Sequence, residues 1–128
     1  MPIIRALSGL LFPISNGRNT IMEFTFPAEG RWVLQGGVRI APSDYTIDNN
    51  LSEAHVCLSA SQFLEGPPTG APDAGHIPYI NRQDQLVNTG MAIWDVPYES
   101  TGYLILNATF TNSMRALGWV NGFMIPTD

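Results

Sequence analysis

His55 and Cys57 lie two residues apart. On an extended strand that spacing puts both side chains on one face. Such a pair can begin a metal site, or an imidazole can activate the thiol. A zinc site needs two further ligands, and His76 is the one other histidine in the chain. No cysteine-enzyme pattern surrounds Cys57, so it reads as a small buried apolar residue. Paired carboxylates are the other chemistry to consider. Asp95 and Glu99 flank Pro97-Tyr98, and Asp44 and Asp48 flank a short stretch around Tyr45. Neither pair comes with a nucleophile–base pattern. The glycines from Gly66 to Gly75 lack the following Lys and helix of a phosphate loop. Ser43-Asp44 and Asp48-Asn49-Asn50 offer oxygens without calcium-loop spacing. The expectation is a chain with no catalytic residue, no metal and no cofactor, and so not an enzyme.

Aromatic rings offer binding instead. Trp32, Trp94 and Trp119 fall in three separate apolar segments. On an exposed sheet face they would stack on sugar rings. In the middle of apolar strands they fill a core, where Trp is highly buried on average. Two glycosylation sequons, Asn50-Leu51-Ser52 and Asn107-Ala108-Thr109, carry meaning only in a eukaryotic secreted protein.

The elements that would hold these residues have a period of two. Met22, Phe24 and Phe26 alternate with Glu23 and Thr25. Ala54, Val56, Leu58 and Ala60 share one face, as do Leu104, Leu106, Ala108 and Phe110. Each such strand is expected to keep one face on a core and one face wet. Phe24, Phe26, Val56, Leu58, Leu104, Leu106 and Phe110 are the expected core. Further strands are read at Ile3–Leu7, Arg31–Leu34 continuing through Val38–Ile40, Tyr45–Ile47, Met91–Val96 and Gly118–Ile125. Gly36-Gly37 predicts a bulge or bend, and Asn16-Gly17 a turn. Asn112–Leu117 reads as a hairpin loop or a single helical turn. The loop from Glu65 to Pro78 holds four prolines and three glycines, which exclude strand and helix there. No internal repeat is visible. Residues 1–128 form one all-β domain, a sandwich of about eight strands with a jelly-roll or related Greek-key order. An immunoglobulin-type sandwich comes second, because its paired cysteines and central Trp are missing.

Composition narrows the partners. Of 128 residues only 13% are charged, against about 25% in a typical soluble domain. All six cations are Arg, scattered along a chain of net charge −5, which argues against nucleic acid. No apolar run reaches the length of a membrane span. Arg5 and Pro13 break the apolar N-terminal stretch, so no signal peptide is expected. So little charge fits a surface covered by Ser, Thr, Asn and Gln or, the reading favoured for a chain with these aromatic residues and Met, one partly covered by protein.

The chain is rich in Gly, Pro, Asn and Thr, carries a Pro-rich loop and ends in Gly118-Trp-Val-Asn-Gly-Phe-Met-Ile125. In this character, over its whole length, it resembles small bacteriophage virion proteins, including capsid decoration proteins and tail-tip or fibre modules. The resemblance implies a structural protein of the virion, assembled in the host cytoplasm. Its partners would be itself, as a homo-oligomer and a trimer if it decorates a shell, and a capsid or tail protein. The contact residues expected are Ile3, Ile4, Leu7, Leu10, Leu11 and Phe12 in an apolar arm, and Pro67, Pro68 and Pro72 in the long loop. The rival is an extracellular or adhesin-borne carbohydrate-binding module that stacks sugars on Trp32, Trp94 and Trp119.

Overall fold

The computed structural model describes residues 2–47, 51, 53–59 and 84–126. They form nine strands and no helix: β1 (Ile3–Leu7), β2 (Phe12–Ile14), β3 (Gly17–Phe26), β4 (Gly30–Pro42), β5 (Glu53–Ser59), β6 (Gln85–Asn88), β7 (Ala92–Val96), β8 (Ser100–Thr109) and β9 (Met114–Met124). Two antiparallel sheets pack face to face. The larger runs β1-β9-β4-β6, with β2 also on β9 and β7 also on β4; the smaller runs β3-β8-β5. The chain thus folds as a ribbon doubled on itself. β1 and β2 lie on β9, β3 on β8, and β4 on β6 and β7. Wrapping such a ribbon into two sheets gives jelly-roll order.

Period-two patterning builds the core. Met22, Phe24 and Phe26 from β3, Val56 and Leu58 from β5, and Leu104 and Leu106 from β8 are buried, and Phe110 just beyond β8 joins them. They face Trp32, Leu34, Val38 and Ile40 of β4 and Met114, Ala116 and Val120 of β9. Phe26 is the hub, with its ring 5.4 Å from Phe24, 5.6 Å from Trp32 and 5.8 Å from Trp94. Asn16-Gly17 turns as expected, with Gly17 at φ 91° and the Asn16 Oδ1 accepting the Phe110 N–H at 2.7 Å.

Several expectations are corrected. β4 runs through Gly36-Gly37 without a bulge, since its register with β9 is unbroken from Trp32↔Met124 to Pro42↔Met114. The glycines serve proximity instead. A Cβ on Gly37 would lie 2.2 Å from Cζ2 of Trp119, so the indole occupies the space above it. The register shift falls in β3, between Thr20 and Met22, and turns Ile21 inward as well. Tyr45–Ile47 is a turn, because Asp44 Oδ1 accepts both the N–H and the hydroxyl of Thr46. The last strand begins at Met114, inside the stretch read as a loop or helical turn. The smaller sheet is not wet on its outer side throughout, because Cys57, Ser59 and Ile105 are buried there. The Glu65–Pro78 loop, Asp48–Asn50 and Ala60 lie outside the described residues.

The structure also holds an internal symmetry that the sequence conceals. β1–β4 and β6–β9 follow the same path, related by a half-turn about the Gly37↔Trp119 pair. Gly36 pairs with Val120 as Gly118 pairs with Val38. Each outer edge is a strand interrupted once, at Ser8-Gly9-Leu10 and at Thr89-Gly90-Met91. The break is healed identically on both sides. Ser8 N–H donates to Gly118 O (2.9 Å) while Gly118 N–H donates to the Ser8 hydroxyl (2.8 Å). Thr89 N–H donates to Gly36 O (2.8 Å) while Gly36 N–H donates to the Thr89 hydroxyl (2.9 Å). Each hydroxyl stands in for the missing carbonyl of an edge strand, so no central N–H is orphaned.

Thr89 is 3% exposed. Thr89→Val keeps its shape and strands the Gly36 N–H, which should cost about 1–3 kcal/mol. Gly118→Ala would set a methyl 2.6 Å from Leu104 and 2.7 Å from Ile21, an overpacking cost of about 1–3 kcal/mol. Both should lower the urea midpoint with the slope unchanged. A midpoint equal to that of the native chain would remove the corresponding claim.

Candidate interaction surface

Antiparallel pairing places outward side chains of the larger sheet in rows across the strands. One row is apolar from edge to edge: Ile3, Phe123, Val33, Ile93. Ile3 is 50% exposed, Ile93 54% and Phe123 44%, and Met91 beside them is 65% exposed. The next row is Arg5, Asn121 and Gln35. Between these rows the surface dips into a shallow hollow of about 430 Å³, lined by Ile3, Arg5, Val33, Gln35, Met91 and Phe123 among others. The third row is Leu7, Trp119, Gly37 and Asn88, and the fourth Leu117, Arg39 and Leu86. Seven large apolar side chains of this face and its edges are therefore exposed to solvent: Ile3, Leu7, Leu10, Leu86, Met91, Ile93 and Phe123.

The ends of the face are ionic. Arg31 Nε donates to Asp95 Oδ1 at 2.8 Å with both side chains largely exposed, so the pair contributes little to stability. At the other end Asp84 gathers three donors. Arg39 reaches its Oδ2 through Nε (2.8 Å) and NH2, and the Tyr45 hydroxyl donates to Oδ1 at 2.6 Å. Burial pushes the Asp84 carboxyl up, but the hydrogen bonds from Tyr45 and Arg39 and the nearby guanidinium charges outweigh it and hold the group below its ordinary value. The same hydrogen bond to Asp84 raises the Tyr45 phenol. This cluster pins the turn after β4 to the start of β6.

The apolar arm of the sequence lies at one side of this face. β1 and β2 form one edge, and Ile3, Leu7 and Leu10 project from it, Leu10 at 88% exposure. Ile4 is corrected: it points inward beside Gly122 and Leu34 and is 5% exposed. Leu11 is half-buried, and Phe12 packs against the core. Pro67, Pro68 and Pro72 lie outside the described residues. The sugar-stacking set is dispersed. Trp32 and Trp94 are 0% and 4% exposed, because even-numbered positions of β4 and β7 face the opposing sheet. Trp119 alone of the three lies on the outer face. The sequence reading missed Val33, Leu86, Met91, Ile93 and Phe123. Their signal was present: β7 alternates Ile93 and Asp95 against Ala92, Trp94 and Val96, so an apolar residue stood at an outward position.

Among the described residues the chemistry-bearing side chains do not converge. His55 and Cys57 share a face of β5, where Cys57 is buried. Asp95 is held by Arg31 and Asp44 by Thr46. Among the described residues no group of three His, Cys, Asp or Glu could hold a metal ion, and no helix is long and apolar enough to cross a membrane. No family model matches the chain, and no curated protein is significantly similar to it.

The Asp84 cluster gives a pH test. Its folded pKa lies below the unfolded one, so its contribution is present above the unfolded value, about pH 4, and is lost as pH falls through the folded value. Asp84→Asn should be less stable than the native chain at neutral pH, and the gap should close as the pH drops below about 4. A gap that stays constant through that window in urea titrations would mean that the carboxylate's charge is not what holds the turn.

Proposed function

We propose that this chain is a non-enzymatic structural protein of a phage particle, a capsid decoration or minor capsid protein that works through subunit contacts. One observation carries the reading: the apolar row Ile3–Phe123–Val33–Ile93, with Met91 beside it, on the outside of the larger sheet. Contiguous exposed apolar surface of this kind marks a protein contact. A contact module needs shape and side-chain complementarity, and the absence of a nucleophile–base pattern in the sequence fits that role. The low charge of the chain supports it too, since a covered surface does not need charge for solubility. Closed cyclic symmetry is the ordinary solution for soluble assemblies. A threefold junction of an icosahedral shell selects a trimer.

The test is assembly. At micromolar concentration, sedimentation should give an oligomer, and the protein should bind phage shells that lack it. Ile93→Glu with Phe123→Asp sets charge on the row without touching the core. It should weaken the contact at least tenfold, about 1.4 kcal/mol or more, with the β-sheet circular dichroism unchanged. A native chain that sediments as a monomer and binds no capsid or tail protein would overturn the reading.

A further inference from the structure

We infer that the fold is closed by recognition between two chain pieces, β1–β5 and β6–β9, and that this recognition does not require the covalent connection between β5 and β6. The pairing carries it. All seven ladders among the described residues join a strand of the first piece to a strand of the second: β1·β9, β2·β9, β3·β8, β4·β6, β4·β7, β4·β9 and β5·β8. Within either piece no two described strands pair. Each piece alone therefore leaves its described strands without ladder partners, and each is the template that the other completes.

Side chains follow the same division. The smaller sheet presents Phe24, Phe26, Val56 and Leu58 from the first piece and Leu104 and Leu106 from the second. The larger presents Trp32, Leu34, Val38 and Ile40 from the first and Trp94, Met114 and Val120 from the second. One central aromatic contact crosses as well: Phe26 meets Trp94 of the other piece, besides Phe24 and Trp32 of its own. Neither piece can bury these residues alone. The interface between the pieces runs through the core, so its occupant is specified: the complementary piece, from the same chain or from a second copy.

A second feature gives an independent test. Met124 N–H donates to Pro2 O at 3.4 Å, so the outer ends of β1 and β9 lie side by side. A short Gly-Ser linker can join them as a hairpin. The chain can then be opened between β5 and β6 with every residue kept.

A protease recognition sequence is placed between β5 and β6 of the full chain, which is folded, cleaved and run on a sizing column at micromolar concentration. The two pieces should co-elute one to one at the position of the uncleaved chain and keep the β-sheet circular dichroism. Their thermal midpoint should rise with protein concentration, because unfolding has become a dissociation. After urea and dilution the pieces should re-form the same species, and two cleaved preparations, one isotope-labelled, should yield mixed pairs by mass spectrometry. The permutant should fold to the native circular dichroism. Pieces that separate or lose β structure on cleavage, together with a permutant that does not fold, would overturn the inference. These outcomes do not depend on whether the chain decorates a shell.

Discussion

The antiparallel pair β4·β9 is the constraint on which the rest depends. It is the longest ladder, it lies in the middle of the larger sheet, and both of its strands are flanked on their outer sides. Every N–H and C=O along these strands needs a partner on one side or the other, at a cost of roughly 1–3 kcal/mol for each group left buried and unpaired. Two sheets in face-to-face contact also need close approach at the centre. Gly36 and Gly118 provide it, with Leu104 and Ile21 of the opposing sheet in the space where a Cβ of Gly118 would stand. The edges that flank β4 and β9 are each broken once. Ser8 and Thr89 carry the pairing across those breaks with one backbone and one hydroxyl bond each.

Pairing between distant pieces has a kinetic side. Each ladder can begin only after the chain between β5 and β6 has brought its ends together, so the closure entropy precedes any sheet contact. Low local order and high sequence separation make the unfolded chain slow to commit and leave its edges exposed meanwhile. The edges show matching defences. Pro13 sits in β2 on the outermost position of the larger sheet, where it gives up no ladder bond to a central strand. Both outer edges are short segments and not one long strand.

What was legible in the sequence was whatever obeys a local rule. The alternation in Thr20–Phe26, Ala54–Ser59 and Tyr103–Phe110 gave strands and their inward faces, because one buried face imposes a period of two. Asn16-Gly17 gave its turn for a stereochemical reason. Gly36-Gly37 misled because glycine answers to two demands, bending and close approach, and only the neighbour on β9, Trp119, decides between them. Ile105 and Cys57 are buried on both-sided strands, which alternation cannot express. The half-turn symmetry was invisible because it survives in pairing and hardly in residue identity: Gly36 matches Gly118 and Val38 matches Val120, but Trp32 matches Met114 and Leu34 matches Ala116. The proposed contact surface was read from the sequence only where it lay in one apolar run, the arm. Its larger part is assembled from single residues on β1, β4, β7 and β9, which no window of sequence contains.

The same symmetry supplies an internal control for that surface. The half-turn that exchanges β4 with β9 carries Val33 to Arg115, Phe123 to Ala41, Ile93 to Pro13 and Ile3 to the position of Asp84, opposite Ala41. Strand pairing is equivalent at both ends of the face, although Ala41 is buried at one end where Phe123 is open to solvent at the other. One end has Arg115, Ala41, Pro13 and the Asp84 cluster. The other carries four large apolar side chains in line, with Met91 added. Strand pairing alone therefore does not account for the apolar end. Exposed apolar area is unfavourable in water by roughly 25 cal/mol per Å², and the ion-paired alternative is present on the same molecule. A row that strand pairing does not need and water does not favour calls for something to cover it, which is why the apolar row, and not the arm by itself, carries the proposal that this protein is a contact module.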